Sequence, residues 1–200
     1  MTLSLSLPKI EPLLLDVSET SLHVTPEQFD RLSLNNPDLR LELTKDGQLI
    51  VMNPTGGETG WRNADLSGQL GVWNQDTNLG SGFSSSTGFD FISIGGGIMS
   101  PDVSWIEHSR LEGVNLNCFV AVVPDFVIEL SSIDTPFPYV RSKMLEYRLL
   151  GVKLGLLVNL IDKQVEVYRL GQAVEILELP MSVDCSEVMP EFILNLAEIW

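Results

Sequence analysis

Apolar and polar residues fall into strand-like alternation first at Leu39. Leu39, Leu41 and Leu43 alternate with Arg40, Glu42 and Thr44, which is the period of a half-buried strand. Asp46-Gly47 supplies a tight turn, and Gln48–Met52 returns as the second strand of a hairpin. Upstream, Thr25-Pro26-Glu27-Gln28 reads as a helix start, with Thr at the N-cap, Pro at the first helical position and Gln able to reach back. That helix ends before Asn35-Asn36-Pro37. Beyond Pro54-Thr55-Gly56-Gly57, the residues Trp61, Leu66, Leu70 and Trp73 recur at mostly helical spacing, so a helix is placed over 58–73. Gly80–Ser86 is read as loop and short strand, followed by GFDFISI and a turn at Gly95-Gly96-Gly97.

The second half of the chain is richer in strands. SPDVSWIE reads as a strand entered through a proline, and DFVIELSS as a strand apolar on both faces except at Glu129. Residues 139–150 form a helix that ends at Gly151. LGLLVNL and QVEVYRL then follow as consecutive strands turning at Asp162-Lys163, and AVEILEL adds another. The tail, 190–200, is a short apolar segment expected to pack back on the body. Strands, hairpins and a crossover helix together predict an α/β (α+β) sheet domain. Residues 1–20 have no clear period and are read as an irregular arm, leaving 21–200 as a single domain.

Composition changes this picture little. The chain has 200 residues, 44% apolar and 20% charged, ordinary usage for a chain that buries a core without staples. The richest apolar stretch, Phe119–Leu130, is broken by Pro124, Asp125 and Glu129 and is too short to cross a bilayer. No membrane association is therefore expected. The start, MTLSLSLPKIEP, has no basic region before its apolar residues, so no export signal is read. Cys118 and Cys185 lie far apart and form no CxxC pair, which favours a reduced, cytoplasmic setting. Charge matters more. Twelve Lys and Arg against 27 Asp and Glu give a net charge of −15. Such a chain repels phosphate backbones at long range, so any nucleic-acid role must depend on a local basic patch or on bound cations.

Three residues carry candidate chemistry. A carboxylate in the middle of a strand buried on both faces, as Glu129 is, is costly unless it meets a cation; the bland alternative is a strand-end glutamate reaching solvent. Lys143 shares a helix face with Val140, Met144 and Tyr147, so an ammonium group stands in the stripe that packs on the sheet, or else snorkels off its edge. Asp102 follows Pro101 at the head of a strand. Two acids at neighbouring strand ends with a lysine on the next helix make a plausible site for Mg²⁺ or Mn²⁺. Other motifs are weaker. Gly95-Gly96-Gly97 lacks the frame of a phosphate loop, His23 and His108 lack zinc spacing, and no serine sits in a nucleophile elbow.

The ordered set RLEL..DG.LIVMNPTGGETG.RN, SPD.SWI, DFVIELSS, KM.EY...GV.LG.L and V.VYR.GQ resembles the Uma-two family of restriction-endonuclease-like proteins, within the PD-(D/E)XK nuclease superfamily. The resemblance runs from about Val24 to Trp200. It implies a restriction-endonuclease-like mixed β-sheet core flanked by helices, with added β-hairpins. It implies a metal-dependent phosphodiesterase acting on nucleic acid, with DNA as substrate, Mg²⁺ or Mn²⁺ as cofactor, and room for a homodimer. Pro101-Asp102 matches the family's PD, Glu129 its second acid and Glu42 its early acid, so that Asp102, Glu129 and Glu42 are the implied metal ligands. Ser131 stands where the usual lysine would be, and Lys143 on the following helix takes its place. Glu42, Asp102, Glu129 and Lys143 are thus the implied catalytic set, with Glu146 and Tyr147 beside Lys143 as support. The alternative is a non-catalytic binding or regulatory module that kept the fold, which the acidic charge favours.

Overall fold

The computed structural model describes residues 21–133, 135 and 137–200, so the expected arm at 1–20 lies outside the described residues. Helix α1 (Pro26–Asn35) starts as its sequence predicts. The Thr25 hydroxyl accepts from the Gln28 backbone N–H, and the Gln28 side chain accepts from Thr25 N–H. Strands β1 (Arg40–Leu43) and β2 (Leu49–Met52) form the hairpin, with Gly47 at a φ of 83° in its turn. Helix α2 runs over Gly57–Thr77, a turn longer than the apolar spacing suggests, and ends on Asn78 in the left-handed conformation.

The central sheet has six strands in the order β10-β9-β8-β7-β6-β3. These are β3 (Gly80–Ser84), β6 (Val103–Glu107), β7 (Phe126–Ser131), β8 (Leu154–Asn159), β9 (Gln164–Arg169) and β10 (Glu175–Glu178). Only β7 and β8 pair in parallel, and the connection between them is helix α4 (Phe137–Leu150), as a parallel pair requires. The short strands β4 (Phe89–Asp90) and β5 (Ile98–Met99) join the hairpin in a four-stranded sheet, β2-β1-β5-β4. The three glycines form the turn between β4 and β5, after one turn of 3₁₀ helix over Ile92–Ile94.

Each face of the central sheet is covered. Phe126, Ile128 and Leu130 of β7 and Leu154, Leu156 and Val158 of β8 pack against Leu66 and Leu70 of α2. The C-terminal segment joins this layer through Phe192, Leu194, Leu196 and Ile199, which accounts for its apolar residues. It holds a small hairpin, β11 (Ser182–Asp184) with β12 (Ile193–Asn195), too short to announce a period. The opposite face, with Val127 and Leu157, packs against Val140, Met144 and Tyr147 of α4. A Cβ at Gly155 would lie 2.5 Å from Met144 Cε, so glycine there lets α4 sit close to the sheet. Phe29, Leu43 and Ile98 form a third cluster between α1 and the smaller sheet. A further single-turn helix, α3 (His108–Leu111), follows β6 and has no sequence signal. Among the described residues no helix is long and apolar enough to cross a membrane.

Candidate active site

The register between β6 and β7 places the acids. Val103 pairs with Ile128, so the preceding residue, Asp102, stands opposite Glu129 on the face toward α4. The Leu130 backbone N–H donates to Asp102 Oδ2 at 2.9 Å, which holds the carboxylate across the strand end. From the other side, Asn63 of α2 donates to Asp102 Oδ1 at 3.0 Å. Glu42 arrives from the smaller sheet. It is polar in the alternation of β1, yet it is only 3% exposed because α4 covers that face. A Cβ at Gly97 would fall 1.9 Å from Leu43 O, so the chain after the glycine turn runs tight against β1. The following loop then delivers Ser100 N–H to Glu42 Oε1 at 2.8 Å.

Lys143 is the centre of the cluster. It is 5% exposed, and its Nζ lies 2.9 Å from Glu42 Oε1, 2.8 Å from Glu129 Oε1 and 3.1 Å from the Ser100 carbonyl oxygen. Two of its three N–H donors make hydrogen bonds, to Glu42 and the Ser100 carbonyl, and the Glu129 oxygen stands in ion-pair contact. The lysine in the apolar stripe is therefore buried and paired. Two tyrosines eight residues, about two helical turns, apart on α4 complete the arrangement. Tyr139 donates to Glu42 Oε2 at 2.7 Å, and Tyr147 to Glu129 Oε1 at 3.1 Å. Glu146, read from the sequence as a support for Lys143, instead meets the Gly97 backbone and has one buried oxygen with no hydrogen-bond partner.

The charges respond to this packing. Burial pushes the Glu129 carboxyl up to about 8, with the neighbouring Asp102 and Glu42 charges adding to the rise and Lys143 opposing it. Burial likewise raises Asp102, against the Leu130 N–H, Lys143 and Arg40. At Glu42 burial is outweighed by Lys143, Tyr139 and the Ser100 N–H, so its carboxyl lies below the usual range. Lys143, although desolvated, is held well above its ordinary value by Glu129 and Glu42. One lysine thus pairs with two of the three acids. Glu42 is satisfied by protein donors, whereas Glu129 remains a carboxyl short of positive charge.

A cavity of about 380 Å³ opens onto this cluster. Asp102, Glu129 and Lys143 line it, together with Tyr139, Thr135, Arg40 and residues 51–55. Among the described residues no three His, Cys, Asp or Glu side chains converge as a ready-made metal cage. Asp102 and Glu129 are hard oxygen donors on one face with a deficit of positive charge. That donor set fits Mg²⁺ or Mn²⁺, ions that keep several waters and need few carboxylates. The four residues singled out in the sequence therefore meet at one place: Lys143 bridges Glu42 and Glu129, and Asp102 faces Glu129. Asn63, Tyr139 and Arg40 were not foreseen. Only the polar position of Arg40, two residues from Glu42 on one face of β1, hinted at a role.

Sequence comparison extends the geometry. Residues 26–197 match the Uma2 family, described as "Putative restriction endonuclease". This chain belongs to the Uma2 family. Its fold is also similar to that of a solved structure, a putative nuclease belonging to DUF820 from Anabaena variabilis, with a TM-score of 0.68 and 21% identity. That match covers 80% of this chain and 88% of the other. The restriction-endonuclease-like architecture expected from the sequence is thereby shown. Curated proteins include no significant match to this chain.

Proposed function

We propose that this protein is a divalent-metal-dependent nuclease that hydrolyses phosphodiester bonds, with DNA as the substrate. The observation that carries the reading is the Asp102–Glu129 pair, Asp102 just before β6 and Glu129 on neighbouring β7, lining one cavity beside a buried lysine. Asp102 and Glu129 would hold the Mg²⁺ or Mn²⁺ ion. When bound, the ion supplies an acidified water and polarises the phosphate. The chain's own residues do the rest. Leu130 N–H and Asn63 aim the Asp102 carboxylate, and Tyr147 and Lys143 fix one oxygen of Glu129, leaving the other for the cation. Glu42, with its oxygens taken by Lys143, Ser100 and Tyr139, anchors the lysine in this reading. Lys143 keeps a fixed positive charge beside the reacting phosphate, which lowers the cost of charge that builds there.

The net charge of −15 favours a second reading, a binding module that kept the fold and lost the chemistry. Calorimetric titration with Mn²⁺ separates the two. The nuclease reading expects one site that Asp102→Asn removes while the fold persists. A wild-type protein that takes up no Mn²⁺ would support the decayed module.

A further inference from the structure

We propose that Arg40, and not Lys143, is the cation that takes the substrate's phosphate in this cavity, an assignment that rests on the nuclease reading above. The argument begins with donor capacity. Three oxygens already surround the Lys143 ammonium, at 2.8, 2.9 and 3.1 Å, and two of them belong to buried carboxylates. Turning one donor toward a phosphate would leave an acid buried without its charge partner, which is expensive. Lys143 is therefore committed to the protein.

Arg40 is not. It lines the same cavity as Asp102, Glu129 and Lys143, and no ion pair among the described residues includes it. One end of its guanidinium is pinned, because Nη2 donates to the Ser85 carbonyl oxygen at 2.6 Å. Its Nε–H is buried and has no acceptor. Arg40 and Glu42 are two residues apart on β1 and project from the same face, so the hairpin that carries Glu42 to Lys143 carries Arg40 to the cavity. A guanidinium stays charged at any working pH and presents adjacent donors that match two oxygens of one phosphate. A phosphate seated against its edge supplies the missing acceptor. The arrangement divides the labour: the acids suit a cation, the lysine fixes the acids, and the arginine meets the anion. It also answers the overall acidity of the chain, because the positive charge stands where the phosphate must go.

The test uses the full chain and a short fluorescent single-stranded oligonucleotide at low ionic strength. Anisotropy reads binding in EDTA and in Ca²⁺, and cleavage of the same strand is followed in Mn²⁺. Arg40→Gln should weaken binding by about tenfold. It should also reduce the slope of log affinity against log salt by about 0.7, the share of one phosphate contact on a single strand. Its Mn²⁺ affinity should equal or exceed that of the wild type, because a repelling charge near Asp102 is gone. Arg40→Lys keeps the charge without the fork and should still bind severalfold more weakly than wild type; it decides the matter if the glutamine variant fails to fold. Wild-type affinity and salt slope in the variant that folds would overturn the assignment and leave the nuclease reading standing. A wild-type protein that neither binds nor cleaves the strand would overturn both.

Discussion

Glu129 and Lys143 are informative because each violates its local pattern, an acid in an apolar strand and an ammonium in an apolar helix stripe. Both violations are resolved by one contact of 2.8 Å. The two residues are not equivalent in stability. Lys143 serves two buried acids, so Lys143→Met strands both, and denaturant melts should lose roughly 3–5 kcal/mol. Glu129 is crowded by Asp102 and Glu42, and Lys143 keeps Glu42 when it goes. Glu129→Gln should therefore change stability by less than about 1 kcal/mol in EDTA at pH 6, while abolishing Mn²⁺-dependent cleavage. A loss as large as that of Lys143→Met would mean the glutamate is a structural ion-pair partner only. The raised carboxyl also fixes a sign for pH. With its value near 8 in the fold and near 4.5 in the open chain, the folded state binds the extra proton between those limits. Stability of the metal-free protein should then fall as pH rises from about 5 to 8, by up to ~1 kcal/mol per unit. Melts in EDTA across that range check this; a rise with pH would contradict it.

At the scale of elements, the site depends on three pieces of chain that meet only through packing. The β6–β7 register pairs Asp102 with Glu129, α4 brings Lys143 down onto the sheet, and the β1–β5 contact adds Glu42. Much of this was legible. Alternation marked β1, the Asp46-Gly47 turn marked β2, the apolar run marked β7, and the capping residues marked the start of α1, because each is a local signal. Two of the donors around the acids, Asn63 and Tyr139, were not legible. Asn63 lies 39 residues from Asp102, and Tyr139 lies 97 from Glu42, so nothing in local period points from one to the other. The short β11–β12 hairpin and the one-turn α3 escaped because they have too few residues for a period. The contact at Gly97 offers a test of the element-level account. Gly97→Ala forces a Cβ onto the Leu43 carbonyl, 1.9 Å away. The smaller sheet must shift, and stability should fall by about 1–3 kcal/mol, with weaker Mn²⁺-dependent activity as Glu42 loses Ser100. A neutral outcome would show that the placement of Glu42 does not rely on that close approach.

For the whole molecule, charge and chemistry pull in opposite directions. A net charge of −15 opposes a polyanionic substrate, and the site answers with a cavity holding a paired lysine, an uncommitted arginine and two acids suited to a divalent ion. Binding should consequently be weak and should fall steeply with salt, so activity belongs at low ionic strength. Membership of the Uma2 family and the nuclease-like fold agree with that chemistry. The most direct measurement is cleavage of a single-stranded DNA by wild type, Asp102→Asn and Glu129→Gln, purified in parallel, with and without Mn²⁺ at low salt. The account expects cleavage by the wild type alone, and only with the ion. Equal cleavage by all three proteins, or none by the wild type under any of these conditions, would contradict it.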